Sequence, residues 1–267
     1  MIRKNDPEFP GRSPGQIIVT GACVQGERHA KTGQPCQDAF FWSPIREHGV
    51  VVAIADGLSS ATHAETGAKI AVEAVCQAVV SAYDTQKVPG EQKELMKKAF
   101  TKAHAAVISK AEEAGISPTH YGSTLITAVF CDGNLTVGHI GDGIIAGIQE
   151  GKTHIISEPG QSEYANETAC LVQSDWEAHL QVRESSLVNA VVLATDGCQG
   201  AVATRQNGDL HPYDPFLLPL VSFVRKKTNN GEDPTSDITG LLSSSRMLEL
   251  SGDDKTLVIL LGPVQTL

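Results

Sequence analysis

Apolar residues fall along this chain in two rhythms: short unbroken runs, and longer stretches that keep only one helical face apolar. Residues 50–55 read VVVAIA, the pattern of a strand buried on both faces. A strand-like pattern also covers 17–23. After 50–55 the rhythm changes: Ile70, Ala74, residues 76–78 and Val79 carry an apolar stripe to Tyr83. Thr62 with Glu65 three positions later has the form of a capping box at the start of that helix. A Val88-Pro89-Gly90 break separates it from a second helix over 91–113. There Leu95, Ala99, Ala103, Ala106 and Val107 share one face and lysines lie opposite.

Strands follow. Runs at 123–131 and 135–140 flank Asp132-Gly133-Asn134, a strong hairpin signal. Runs at 144–149 and 154–157 flank a second turn at Glu150-Gly151-Lys152. A strand is predicted over 187–195 and another over 256–261, with helices at 215–227 and 234–248 between them. Residues 200–214, polar and rich in turn formers, read as a surface loop. Strands clustered by hairpins with helices in separate pairs predict an α+β arrangement rather than an alternating βαβ sheet. Several strands are apolar on both faces, so two sheets packed together with helices outside would bury them. The first 15 residues hold three prolines and read as a flexible leader, leaving 16–267 as a single domain.

Composition narrows the function. The net charge is −10, from 31 acidic and 21 basic residues, which argues against a nucleic-acid partner because phosphate-backbone binding rests on Lys and Arg. The six cysteines form no C-x-x-C pair and read as reduced thiols rather than a zinc or disulfide framework. No apolar run approaches the ~20 residues needed to cross a bilayer, and the N-terminal stretch has no apolar signal core. The expectation is a cytoplasmic protein with no membrane partner.

The chemistry is in the carboxylates. Three apolar strands end in Asp-Gly, at Asp56-Gly57, Asp142-Gly143 and Asp196-Gly197. Asp253-Asp254 stands just before the final strand, and Asp38 closes Gln34-Pro35-Cys36-Gln37-Asp38. Asp-Gly is also a common tight turn, and Asp132-Gly133 is read as no more than that. Carboxylates at the ends of adjacent strands can converge on one rim, where they repel unless a hard cation such as Mg²⁺ or Mn²⁺ neutralises them. Competing motifs fail: Gly11-Arg12-Ser13-Pro14-Gly15 matches G-x-S-x-G but lies in the proline-rich leader. Cys36 and Cys198 sit beside acidic clusters that oppose thiolate formation.

In their order and spacing, Asp38, Asp56-Gly57, Gly122-Ser123-Thr124, Gly141-Asp142-Gly143, Thr195-Asp196-Gly197 and Asp253-Asp254-Lys255-Thr256 resemble the metal-dependent PP2C (PPM) serine/threonine phosphatases. The likeness spans roughly 21–261. It is closest to a bacterial subgroup with a Pro-Cys-Gln-Asp segment and a Gly-Glu-Tyr-Ala-Asn-like segment, here 35–38 and 162–166. The resemblance implies a four-layer α/β/β/α sandwich of two antiparallel sheets flanked by helix pairs, with two Mn²⁺ or Mg²⁺ ions at one end. It implies that Asp56 bridges both metals, that the Gly57 carbonyl binds the second, and that Asp196 and Asp253 complete the first. Asp142 with Asp196 would hold a weaker third ion, and Asp38 would hold metal-bound water. The implied reaction is hydrolysis of phosphoserine or phosphothreonine by a metal-bridging hydroxide, on a protein substrate that is the target of a Ser/Thr kinase.

Two family features differ. Where many members carry a phosphate-gripping arginine, this chain has Gly33; Arg28, His29 and Lys31 are candidates to replace it, and His29 fits the subgroup best. Where many carry a histidine after Asp-Gly, Leu58 follows Gly57, and His63 is the next histidine. His63 near a helix start reads as a surface residue, and His139 inside a strand as a satisfied core residue; the general acid could be metal-bound water. Two rival readings therefore stand beside the phosphatase: a catalytically weak regulatory or phosphoprotein-binding module on the same fold, and a small-molecule phosphoesterase. Residues 160–168 are a candidate flap, with Tyr164 and Asn166 facing substrate.

Overall fold

The structure is a computed structural model that describes residues 17–45, 49–84, 92–131, 133–160, 168–186 and 188–262. In chain order, β1 (Ile18–Val24), α1 (Glu27–Thr32), β2 (Ala39–Ile45) and β3 (Gly49–Ala55) precede α2 (Ala64–Asp84) and α3 (Gln92–Ala114). After a 3-10 turn at Pro118–Tyr121 come β4 (Leu125–Cys131), β5 (Asn134–Ile140), β6 (Ile144–Gln149), β7 (Lys152–Ser157), α4 (Trp176–His179), β8 (Gln181–Ser186) and β9 (Ala190–Ala194). The chain continues through α5 (Asp196–Val202), β10 (Ala203–Gln206), β11 (Asp209–Pro212), α6 (Asp214–Asn229), α7 (Thr235–Leu242), α8 (Ser245–Leu250) and β12 (Lys255–Leu261).

Two five-stranded antiparallel sheets form the centre, ordered β1-β12-β9-β6-β7 and β2-β3-β4-β5-β8. The two-residue period of a strand decides which layer each side chain joins. Along β3, Val50, Val52 and Ile54 face the opposite sheet, and Val51, Ala53 and Ala55 face the helices. Along β12, Val258 and Leu260 enter the space between the sheets, while Leu257, Ile259 and Leu261 face outward. One sheet is covered by α2 and α3 through Val72, Val75, Val79, Met96, Phe100 and Val107. The other is covered by α5 to α8 through Val202, Leu217, Val224, Ile238 and Met247. Each fully buried Val, Leu or Ile contributes about 1.5–3 kcal/mol, which is why sequences apolar on both faces require a layer on each side. The expected four-layer α+β sandwich of two antiparallel sheets is what the chain forms. The outer layer over β1-β12-β9-β6-β7 holds four helices rather than a pair.

Several local expectations are corrected. The capping box at Thr62 and Glu65 does not form: the Thr62 hydroxyl bonds His120 Nδ1 at 2.9 Å, and Glu65 pairs with Lys69. The helix expected over 234–248 is two helices. The Ser244 hydroxyl accepts from Met247 N–H and caps a new start there. The loop expected over 200–214 is instead the end of α5 and the β10–β11 hairpin. Its turn places Asn207 at φ 53° and Gly208 at φ 94°, the left-handed pair that a two-residue hairpin turn needs. The β6–β7 turn repeats this with Glu150 at 51° and Gly151 at 76°. The 1–15 leader, Asp132, Leu187 and most of the 160–168 segment, Tyr164 and Asn166 included, lie outside the described residues. No described helix is long and apolar enough to cross a membrane.

Candidate metal centre

Strand ends bring the acidic residues together. Asp38 precedes β2, Asp56 follows β3, Asp142 follows β5, Asp196 opens α5 after β9, and Asp253 precedes β12. Threonine hydroxyls from neighbouring strands hold them. Asp56 N–H donates to Thr124 Oγ1 at 2.9 Å, and Thr124 N–H returns to the Asp56 carbonyl at 2.8 Å. Thr195 Oγ1 donates to Asp38 Oδ2 at 2.8 Å and accepts from Thr256 N–H at 3.0 Å. One hydroxyl therefore joins strand ends from both sheets. Thr168 Oγ1 donates to Asp142 Oδ2 at 2.8 Å, and Gly160 N–H bonds the Gly141 carbonyl at 3.0 Å, so both ends of the 160–168 segment are tied to the Gly141-Asp142 turn.

The electrostatics are those of anions forced together. Burial pushes Asp38 up to about 7, and the negative charges of Asp254 and Asp196 add to it. Asp56 is raised well above the usual carboxylate range by burial, then by Asp38 and Asp196. Asp196 is raised by lost hydration and by Asp142 and Asp253, against the hydrogen bond it receives from Asp56. Asp56 and Asp196 thus stand close enough for each to disfavour the other's charged form or hydrogen-bond it. Asp38 Oδ1 is buried with no hydrogen-bond partner, an expensive state for a carboxylate oxygen.

Asp253 and Asp254 divide the work. Asp253 is partly exposed and pairs with exposed Arg28 at 3.2 Å. Asp254 is buried, and accepts from Gly26 N–H at 2.6 Å, Gln37 N–H at 2.6 Å and His29 Nδ1 at 2.8 Å. Backbone fits tightly there: a Cβ on Gly197 would stand 1.9 Å from the Asp254 carbonyl oxygen. His29 is a buried residue of α1 with its ring held by Asp254. Gly33 ends α1 at φ 70°, and the Gly57 amide bonds the Gln37 carbonyl at 3.2 Å. His63 is exposed and stacks on Tyr121. His139 is buried and bonded to Ser157 at 2.8 Å, but its Nε2 has no partner, and burial lowers it to about 4. Fully buried Lys255 donates to the Asp253 carbonyl at 2.9 Å.

Among the described residues no three His, Cys, Asp or Glu side chains stand ready as a metal cage. Asp253 is paired with Arg28 and Asp38 with Thr195. The donor chemistry nevertheless fits Mg²⁺ or Mn²⁺. It consists of oxygens alone, it carries excess negative charge and an unpartnered buried carboxylate oxygen, and these cations keep several waters rather than requiring an all-protein cage. Binding requires these carboxyls in their charged form.

A family model for protein phosphatase 2C matches residues 25–238. The chain belongs to the protein phosphatase 2C family. Among curated proteins none matches it in sequence. Among solved structures it is similar to a C. elegans sex determining protein, at 13% identity and a TM-score of 0.66, over 92% of this chain and 64% of that one. It is similar to the catalytic domain of the serine/threonine protein phosphatase PstP, solved with two manganese ions, at 16% identity and a TM-score of 0.59, over 92% and 97% of the two chains. A serine/threonine phosphatase of S. agalactiae aligns at 14% identity and a TM-score of 0.62, over 92% and 100%. At these identities the likeness is one of fold.

For this phosphatase-family chain the raised carboxyls set the sign of a pH effect. Their folded values lie above the unfolded value near 3.8, so the stability they allow is complete below that value and is lost as pH rises toward 7. Chelator-treated protein is therefore expected to melt several degrees lower at pH 8 than at pH 5. Mn²⁺ should restore the loss at pH 8 and do little at pH 5. Thermal melts across that range check this, and a flat profile would show that the carboxyls are not strained.

The sequence motifs include Thr195, Asp254 and Thr256, but sequence reasoning gave none of the three a role. The signal was available, because Thr195 precedes Asp196 and Thr256 follows the Asp253-Asp254 pair.

Proposed function

We propose that this chain is a metal-dependent protein phosphatase that hydrolyses phosphoserine and phosphothreonine in a protein substrate. The observation carrying this reading is the convergence of Asp38, Asp56, Asp142 and Asp196 from separate strand ends, close enough that neighbouring negative charges raise Asp38, Asp56 and Asp196, in a chain of this family. In this reading Asp56, the Gly57 carbonyl, Asp196 and Asp253 hold two Mn²⁺ or Mg²⁺ ions, and Asp142 with Asp196 a weaker third. Bound there, the cations would supply Lewis acidity, acidifying water and offsetting charge on the phosphoryl oxygens.

The chain's own residues do the rest. Asp38, fixed through one oxygen by Thr195, keeps the other free to accept from water and orient it toward phosphorus. Arg28, exposed beside Asp253, is placed to meet the substrate phosphate. His29 is taken up by Asp254 and holds α1 so that Arg28 stands there. A kinase acting on the same substrate, and a cytoplasmic setting where the free thiols stay reduced, go with this reading.

Gly33 and Leu58, where many relatives carry arginine and histidine, favour a second reading as a catalytically weak regulatory or phosphoprotein-binding module. The deciding experiment gives purified protein p-nitrophenyl phosphate, a phosphothreonine peptide and a nucleotide, with Mn²⁺, with Mg²⁺ and with chelator. Metal-dependent release favouring the peptide supports the phosphatase. Preference for the nucleotide points to a small-molecule phosphoesterase, and folded protein inert with every metal leaves the module.

A further inference from the structure

Cys23 on β1 and Cys36, two residues ahead of Asp38, supply no oxygen to the acidic centre but touch its frame. Their sulfurs are 3.3 Å apart and partly buried. Both lean on the Asp38 carbonyl oxygen, Cys23 at 3.5 Å and Cys36 at 4.0 Å. The chain between them carries α1, with Arg28 and His29. Cys76, Cys170 and Cys198, by contrast, are buried in the two helix-facing cores.

We propose that Cys23 and Cys36 form a reversible disulfide that sets whether the Asp38 segment can serve the acidic centre. A peroxide is the oxidant. One sulfur takes an oxygen from hydrogen peroxide and releases water. The second sulfur then displaces that oxygen as a second water. Two thiol protons and two electrons leave the pair, one S–S bond forms, and peroxide is reduced to two waters.

The bridge must draw the sulfurs from 3.3 Å to about 2.05 Å. Cys23 lies opposite Thr256 in the β1–β12 ladder and cannot follow, so the movement falls on the loop holding Cys36. The next residues are Gln37, held by Asp254 through its N–H and by Gly57 through its carbonyl, and Asp38, held by Thr195. A shift of about 1 Å in a positioned group can cost on the order of 10²-fold in rate. A partly buried, hydrogen-bonded thiol pair beside carboxylates that oppose thiolate formation closes slowly, so the switch answers sustained peroxide rather than a brief pulse.

The test exposes wild type, Cys23→Ser and Cys36→Ser to peroxide, alkylates them, digests them without reductant and weighs the peptides. In parallel it follows metal-dependent phosphate release before oxidation, after it, and after dithiothreitol. Expected is a peptide pair joined through Cys23 and Cys36 in wild type alone. Turnover should fall at least tenfold and return with reductant, while both serine variants keep their own starting rate. Unlinked peptides, or these cysteines found as sulfinic acid, would overturn the disulfide. Linkage with unchanged turnover, or equal losses in the serine variants, would overturn the control. That second half rests on the phosphatase reading; the linkage is read by mass alone, so a protein that links but never releases phosphate in any state sinks the phosphatase and keeps the disulfide.

Discussion

Replacing Asp56 with Asn is expected to lower metal-dependent phosphate release by at least roughly 10²–10³-fold, the range for losing one principal electrostatic stabiliser, while raising the melting temperature of the chelated protein. The two effects share one cause. Burial, and then the charges of Asp38 and Asp196, raise Asp56 well above its ordinary range. Asparagine keeps the shape but removes a carboxyl whose charged form this site disfavours. The gain is expected as a clear rise in melting temperature that is larger at pH 8 than at pH 5, because it is the charged form that the site disfavours. Most buried polar substitutions destabilise, so opposite signs in activity and stability separate a strained functional carboxyl from a structural one. Melts in chelator and initial rates in Mn²⁺ read both. A variant that keeps its rate removes Asp56 from the proposed site.

Asp254→Ala should behave in the reverse manner, with the folded state as the main casualty. The Asp254 carboxylate gathers Gly26 N–H, Gln37 N–H and His29 in a place nearly closed to water. Alanine leaves three donors without an acceptor. Breaking a buried charged network costs about 3–5 kcal/mol, enough to unfold a protein of marginal stability. Urea denaturation should show a lower midpoint with an unchanged slope, which distinguishes lost stability from a changed unfolded state. Asp254→Asn, which keeps one acceptor oxygen, is expected to fall between. A loss under about 1 kcal/mol would mean that α1 and the loop carrying Cys36 are held by something else. Because Asp253 and Asp254 are adjacent, the contrast between their variants also tests the division of labour, one facing outward to Arg28 and one inward.

Some of this was legible in the sequence for a simple reason. Strands such as β3 and β12 are buried on both faces, and an unbroken apolar run has little other place in a layered protein. β2 escaped notice because its residues are mostly half-buried and it contains Pro44; β8 reads QVRESS and is largely polar. Both close the edges of their sheet, where the apolar pattern weakens and proline is tolerated. α1 is six residues long without a side-chain cap, too short to show a period. The Asn207-Gly208 pair was a hairpin signal lost in a polar stretch. The acidic set was visible because each carboxylate ends an apolar run, whereas the threonines that aim the carboxylates look like ordinary strand residues until two sheets meet. The separate duties of Asp253 and Asp254 depend on which way two consecutive side chains point, and no spacing in the chain records that.

The reach of the Asp254 contacts has a consequence for how the molecule comes into being. Its bonds to Gly26 and His29 join residues 228 and 225 positions apart, and β1 pairs along its whole length with β12. Contacts of such separation form late, because a very long loop must close before they return any free energy. During synthesis, an emerging chain that has not yet produced residues past 250 can pack α2 and α3 on β2 to β5, yet it lacks the clamp that sets α1 and Asp38. Half-made protein should therefore neither capture divalent cations tightly nor act on phosphate, and competence should arrive in one step when β12 docks.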